Sequence, residues 1–237
     1  MYEADMNWDQ RVAIDAAQSE RVAFIRKTYA HVAGSIVAFA LILAALVNFV
    51  PDETMRQIFF GSRFSWLIVM GVFMVATMAA QRMANTGASI ATQYLGLALY
   101  TVAEAVIFWP IIWMATTMPN MQGILPQAII LTLALAGGLT MSVFITKADF
   151  SWMRSALVVG GWVVFAAILA SWFFGFHIGI FFIIGVIALM CGFILYETSM
   201  VLHHYPTTQY VGAALAIFAS LATLFWWVLR LLMEMRR

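Results

Sequence analysis

Charge is scarce in this chain. Of its 237 residues 10% are Asp, Glu, Lys or Arg and 64% are hydrophobic, with a mean hydropathy of +0.94. Soluble domains carry about 25% charged residues, so a water-exposed globule of this length is excluded, as is a disordered chain. A single cysteine, Cys191, excludes a disulfide scaffold, and a net charge of +1 excludes a nucleic-acid partner. Lysine occurs only at Lys27 and Lys147, which excludes a retinal protein, because that chemistry needs a lysine in the last span. There is no Gly-x-Ser-Gly turn for an intramembrane serine protease. One His203-His204 pair does not make the histidine boxes of a di-iron desaturase, and phosphate-binding glycine loops are missing. The chain is therefore read as a non-enzyme without a cofactor.

The charge that is present is unevenly placed. Nine of the 23 charged residues lie in positions 1–28, eleven fall in short polar breaks or at the C-terminus, and three interrupt apolar runs: Glu104, Glu197 and Arg230. A helix crossing a hydrocarbon core of about 30 Å needs roughly 20 apolar residues. Seven runs qualify: Tyr29–Val50, Phe64–Ala80, Tyr94–Thr116, Ile124–Thr146, Ser155–Phe174, Ile178–Val201 and Tyr210–Met233. They do not alternate polar and apolar residues as barrel strands do. The fold class is thus all-α integral membrane, a seven-helix bundle. Its organisation is a cytosolic tail, residues 1–28, followed by a transmembrane domain, residues 29–237.

Breaks between the runs carry turn signals: Pro51-Asp52-Glu53, Pro119-Asn120, Lys147-Ala148-Asp149 and His203-His204-Tyr205-Pro206. Gly175-Phe176-His177 is the shortest, so the fifth and sixth spans form a tight hairpin. Residues 1–28 hold five acids and four bases with no apolar core, unlike a secretory signal; within them Ser19–Thr28 is expected to form a short cytosolic helix. With the N-terminus inside, seven basic residues of the short segments fall on the cytosolic side and five on the other, which favours that orientation; Arg236-Arg237 argues against it, and a re-entrant last segment would bring both ends inside. Gly212, Ala216 and Ser220 make a ladder of small residues along the last span, suited to close helix approach.

A carboxylate in hydrocarbon is costly and marks a functional position. Glu104 and Glu197 are expected at similar depth in their spans. Two acids at one depth, facing each other, would share a proton and make a pH-dependent cation site, calcium being the candidate ion. Each also has a structural reading as a hydrogen-bonded peg, with Tyr100 and Thr101 near Glu104. Pro110 is expected to kink the same helix and free a carbonyl. Arg230, near the far end of its span, either snorkels or latches to an acid. His31 and His177 read as interfacial, and His203-His204 lacks a third ligand for a metal.

The residues also resemble a known family. Phe24-Ile25-Arg26-Lys27-Thr28-Tyr29 leads into the first span, and Gly96-Leu97-Ala98-Leu99-Tyr100-Thr101-Val102-Ala103-Glu104-Ala105 opens the third. Lys147-Ala148-Asp149-Phe150-Ser151, Leu195-Tyr196-Glu197-Thr198-Ser199, Tyr210-Val211-Gly212-Ala213-Ala214-Leu215 and Leu224-Phe225-Trp226-Trp227-Val228-Leu229-Arg230 follow in order. From about Arg21 to the end, the set resembles bacterial Bax-inhibitor-like proteins (transmembrane Bax inhibitor motif). Asp149 belongs to one of the two most specific pieces, the Lys-x-Asp-Phe-Ser loop.

The resemblance implies a last span at the centre of the other six and a proton-sensitive calcium leak. It implies an acid on each of the last two spans as the pH sensor, and a basic residue that holds the closed state. Carried over, the first acid is Glu197, the basic residue is Arg230, and the second acid is Ser220, which cannot ionise. Reflection of the sequence about Thr208 sets Glu197 and Ser220 at matched depth. The expected ion or proton site is therefore Glu197 with Glu104, lined by Ser220 and Thr223, and with Arg230 as latch. The expected location is the inner (plasma) membrane, and the expected partner is the lipid bilayer, with the protein a monomer or weak oligomer. The alternative is a non-transporting regulator that binds a membrane protease or another membrane protein.

Overall fold

A computed structural model describes residues 12–62, 64–85, 89–175, 177 and 179–236. The tail before residue 12, including Arg11, lies outside the described residues, as do Arg63, Phe176 and Arg237, which entered the readings above. The described helices, in chain order, are α1 (Gln18–Phe49), α2 (Asp52–Phe60), α3 (Ser65–Asn85), α4 (Ile90–Thr117), α5 (Ile124–Thr146), α6 (Arg154–Phe174), α7 (Ile180–His203) and α8 (Tyr210–Met235). Seven of them, all but α2, are long and apolar enough to cross a membrane. Phe49, Phe174 and Phe181 are more than four-fifths exposed, which suits side chains whose solvent is lipid. The chain is an all-α polytopic membrane protein.

Two helices depart from the sequence reading. The expected short helix at Ser19–Thr28 is continuous with the first span in one 32-residue α1, because no proline and only Gly34 interrupts it. At about 1.5 Å per residue α1 outruns the hydrocarbon core, so its first dozen residues stand outside. The Pro51-Asp52-Glu53 break hides α2. Pro51 caps it, Asp52 and Glu53 occupy its first turn, and Met55 and Phe59, four apart, are its buried face.

The chain divides into two compact units. One comprises Arg26–Gln122 and Gln209–Phe218. Here α3 and α4 pack at backbone distance, since a Cβ on Gly96 would meet the Ala80 carbonyl at 2.6 Å and the Ala84 nitrogen at 3.0 Å. Phe39 meets Phe108 and Phe218 edge-on at 5.0 and 6.0 Å. The Trp113 indole donates to Asp52 at 2.8 Å, which ties α2 to α4. The other unit comprises the described parts of Met1–Ile25, Gly123–Thr208 and Ala219–Arg237. In it α7 packs against α5 and α6, with Leu157 and Leu189 filling the space left by Gly192 and Gly160.

Along α8 the most apolar window is 61% buried, and along α4 67%; the other five spans stay at or below 28%. The ladder on α8 sits in this buried stretch, with Gly212 and Ser220 buried and Ala216 half-buried.

Candidate functional site

The polar residues of the first-described motifs converge on the cytosol-facing end predicted for α7. The chain leaves α5 through Lys147, whose backbone is left-handed (φ 52°) and whose N–H closes the helix on the Val143 carbonyl at 2.8 Å. That turn presents Asp149. Its Oδ1 accepts the Ser151 N–H at 2.8 Å and the Ser199 hydroxyl at 3.2 Å. Its Oδ2 accepts the His204 Nε2–H at 2.9 Å. Ser199 in turn accepts the Phe150 N–H at 2.8 Å. One carboxylate and one hydroxyl thus pin the α5–α6 loop to the last turn of α7.

The Ser151 amide, followed by the His204 ring, holds the Asp149 carboxyl well below the usual carboxylate range. Ser199 is fully buried, and its hydroxyl is turned to the carboxylate and the Phe150 amide, not to an imidazole. Ser, His and Asp therefore meet here as a structural clasp, without the base-to-hydroxyl contact of an activated nucleophile.

The neighbouring His203 is buried, and its Nδ1–H donates to the Ser199 carbonyl at 3.0 Å. Among the described residues no group of three or more His, Cys, Asp or Glu could hold a metal ion. The N-terminal segment joins the same end. Ala13 N–H donates to the Tyr205 carbonyl at 3.0 Å, and Val12 bridges Pro206. Burial, with the nearby Glu197 carboxylate second, pushes the Tyr205 phenol up.

Glu197 itself is half-buried on α7, and among the described residues no Lys, Arg or His nitrogen lies within 4 Å of it. His204, seven residues on, faces Asp149. Glu104 is only 4% exposed on α4, with the Tyr100 side chain one turn earlier beside it. Thr101 is not its partner, since its hydroxyl donates to the Leu97 carbonyl at 2.8 Å. Pro110 stands inside α4, which nonetheless runs unbroken to Thr117.

The two acids fall in different units. Counted along their own helices, Glu104 stands fourteen residues after the first residue of α4, and Glu197 six before the last of α7. These are about 21 and 9 Å at helical rise. Ser220 stands ten residues into α8, about 15 Å at helical rise.

Ser220 is buried, and the Thr223 hydroxyl is spent on the Ala219 carbonyl at 2.9 Å. Arg230 is half-buried, with no carboxylate within 4 Å among the described residues. His177 lies 3.5 Å from Glu234, near the other end of α8.

Sequence reasoning singled out Asp149 and Glu197 but missed Ser199 and His204 as the partners of Asp149. The polarity of Tyr196–Ser199 was a usable signal; the pairing across fifty residues was not.

An all-α polytopic membrane protein with an acid-bearing sixth span is the class these features define. The chain matches the family described as inhibitor of apoptosis-promoting Bax1 over residues 21–237, and it belongs to that family. It is similar to mouse Protein lifeguard 4, 26% identical over 97% of this chain and 92% of that protein. It is also similar to Bax inhibitor 1 of Schizosaccharomyces pombe, 26% identical over 92% of this chain and 79% of that protein. An uncharacterised membrane protein of Vibrio cholerae is 32% identical over 49% of this chain and 52% of its own length. No solved structure matches.

Proposed function

We propose that this protein is a proton-sensitive leak pathway for cations, calcium foremost, in the inner membrane, with its N-terminus cytoplasmic. One observation carries the reading: Glu197 is a carboxylate inside an apolar span with no cationic side chain within 4 Å among the described residues. Such a group either takes a proton or holds a cation from solution, and switching between the two couples ion passage to pH. Glu104 is the second intramembrane acid, Ser220 and Thr223 offer hydroxyls from α8, and Arg230 is the closing latch. Residues 1–28 act as the cytosolic part and 29–237 as the membrane domain. The protein works without a cofactor and catalyses no reaction, as a monomer or weak oligomer.

Calcium flux into proteoliposomes across a pH series tests this. Glu197→Gln is expected to flatten the pH dependence, and Glu104→Gln to change its amplitude. If both variants leave flux and its pH dependence intact, the reading fails. Ser220, where the resemblance calls for an acid, favours one competing role, a regulator docked on a membrane protease. Deletion of residues 1–20 separates the two, since a leak tolerates it and a regulator loses its partner.

A further inference from the structure

A second polar cluster lies at a meeting of helix ends in the unit that holds Arg26–Gln122 and Gln209–Phe218. His31 of α1 stacks against Tyr94 of α4 and Tyr210 of α8, with ring centroids 5.4 and 5.3 Å apart. Its Nδ1–H donates to the Lys27 carbonyl at 2.7 Å, so its Nε2 accepts the Tyr94 hydroxyl at 3.0 Å. The Tyr210 hydroxyl then donates to Tyr94 at 3.5 Å, the longest and loosest link. Above it, the Lys27 ammonium lies 5.2 Å from the centre of the Tyr210 ring.

These residues sit on the first, third and seventh spans. An even number of crossings separates them, so they belong to one membrane face. Residues 27–31 are where the overlong α1 enters the hydrocarbon, Tyr94 is in the second turn of α4 and Tyr210 opens α8. Lys27 and Arg26 are exposed, with no carboxylate within 4 Å among the described residues. Beside them on α4, Ile90 and Leu95 expose their apolar side chains, and Tyr94 is 41% exposed.

We propose that this cluster binds the phosphodiester headgroup of an anionic phospholipid. Lys27 supplies the charge: the residue is exposed and its ammonium lies over the π face of Tyr210. Tyr210 supplies the hydroxyl, because its weak link to Tyr94 is the one most readily exchanged for a phosphate oxygen. Arg26 adds a second cation. Ile90 and Leu95 give the acyl chains an apolar wall, which a free phosphate would not use. Charge complementarity is the argument for an anionic lipid over a zwitterionic one, since two basic residues with no carboxylate within 4 Å among the described residues favour net negative charge. The headgroup would then tie together the ends of α1, α4 and α8.

The test uses the full chain in nanodiscs containing phosphatidylglycerol and phosphatidylcholine, with retained lipid counted by native mass spectrometry. Wild type is expected to retain phosphatidylglycerol preferentially. Lys27→Gln is expected to lower that retention about fivefold, the worth of one basic residue at an anionic surface, and Tyr210→Phe to lower it without changing phosphatidylcholine. Tyr210→Phe keeps the ring and its packing, so a folding defect does not account for a loss there. Equal retention in wild type and both variants overturns the proposal. Displacement of the lipid by inorganic phosphate, or binding of phosphate alone in detergent, also overturns it and reassigns the cluster to a soluble anion. Neither result bears on the leak reading, which is measured by calcium flux.

Discussion

Asp149 and His204, 55 residues apart in sequence, meet at 2.9 Å and close the α5–α6 loop onto the end of α7. Both side chains are roughly two-fifths exposed, so their ion pair in itself adds little. The strength of the junction comes from the buried Ser199 between them, which engages both the Asp149 carboxylate and the Phe150 amide.

Ser199→Ala is therefore expected to destabilise more than His204→Ala. It strands the Phe150 N–H and removes one donor from Asp149, a cost of about 1–3 kcal/mol for a buried unsatisfied group. His204→Ala removes an exposed pair, worth up to about 1 kcal/mol. Thermal unfolding in detergent ranks the two, and hydrogen exchange at residues 147–151 is expected to accelerate in Ser199→Ala.

The clasp should hold through mild acid. The Asp149 carboxyl titrates below its usual range in the folded protein, so its contribution is complete above the unfolded value of about 3.9 and fades only as pH falls below it. Asp149→Asn is accordingly expected to lower the melting temperature while leaving the midpoint of any flux-versus-pH curve in place. A shift of that midpoint would make Asp149, and not Glu197, the sensor.

Burial and the Glu197 carboxylate both push the Tyr205 phenol up, and the influence of phenol and carboxylate on each other can be tested. Tyr205→Phe removes the hydroxyl and keeps the ring. If the phenol helps to set the proton affinity of Glu197, the flux midpoint moves with little loss of thermal stability. An unchanged midpoint assigns Tyr205 to packing alone.

Gly96→Ala tests the packing of α3 on α4. The new Cβ would sit 2.6 Å from the Ala80 carbonyl oxygen and 3.0 Å from the Ala84 nitrogen, both backbone atoms. Overpacking of this kind costs about 1–3 kcal/mol. Gly160→Ala is the control, because its Cβ would meet only the end of the Leu189 side chain, which can turn aside. A clear drop in melting temperature is expected for the first and a small one for the second.

Much of the membrane architecture was legible in the chain because lipid enforces a one-dimensional rule. A span has to satisfy its own backbone and be apolar over its length, and each of the seven runs falls on one of the long helices. Elements outside the hydrocarbon obey no such rule. The amphipathic α2, with Asp52, Glu53 and Arg56 beside Met55 and Phe59, read as a polar break, and the start of α1 read as a separate helix.

At the candidate site, Glu197 and Asp149 stood out because acids are rare here and because each lies in a motif. Their companions did not. Ser199 looks like any small polar residue in a membrane helix until the α5–α6 loop is laid against it, and His204 looks like a loop residue until Asp149 reaches it.

What this sequence determined alone is the class: too little charge for water, seven apolar stretches of crossing length, and acids where none is cheap. The tertiary structure decided which polar groups answer one another. Hydropathy is a property of a segment, summed along it. A hydrogen bond such as Asp149 to His204 depends on distance between segments, and only the folded chain sets that distance.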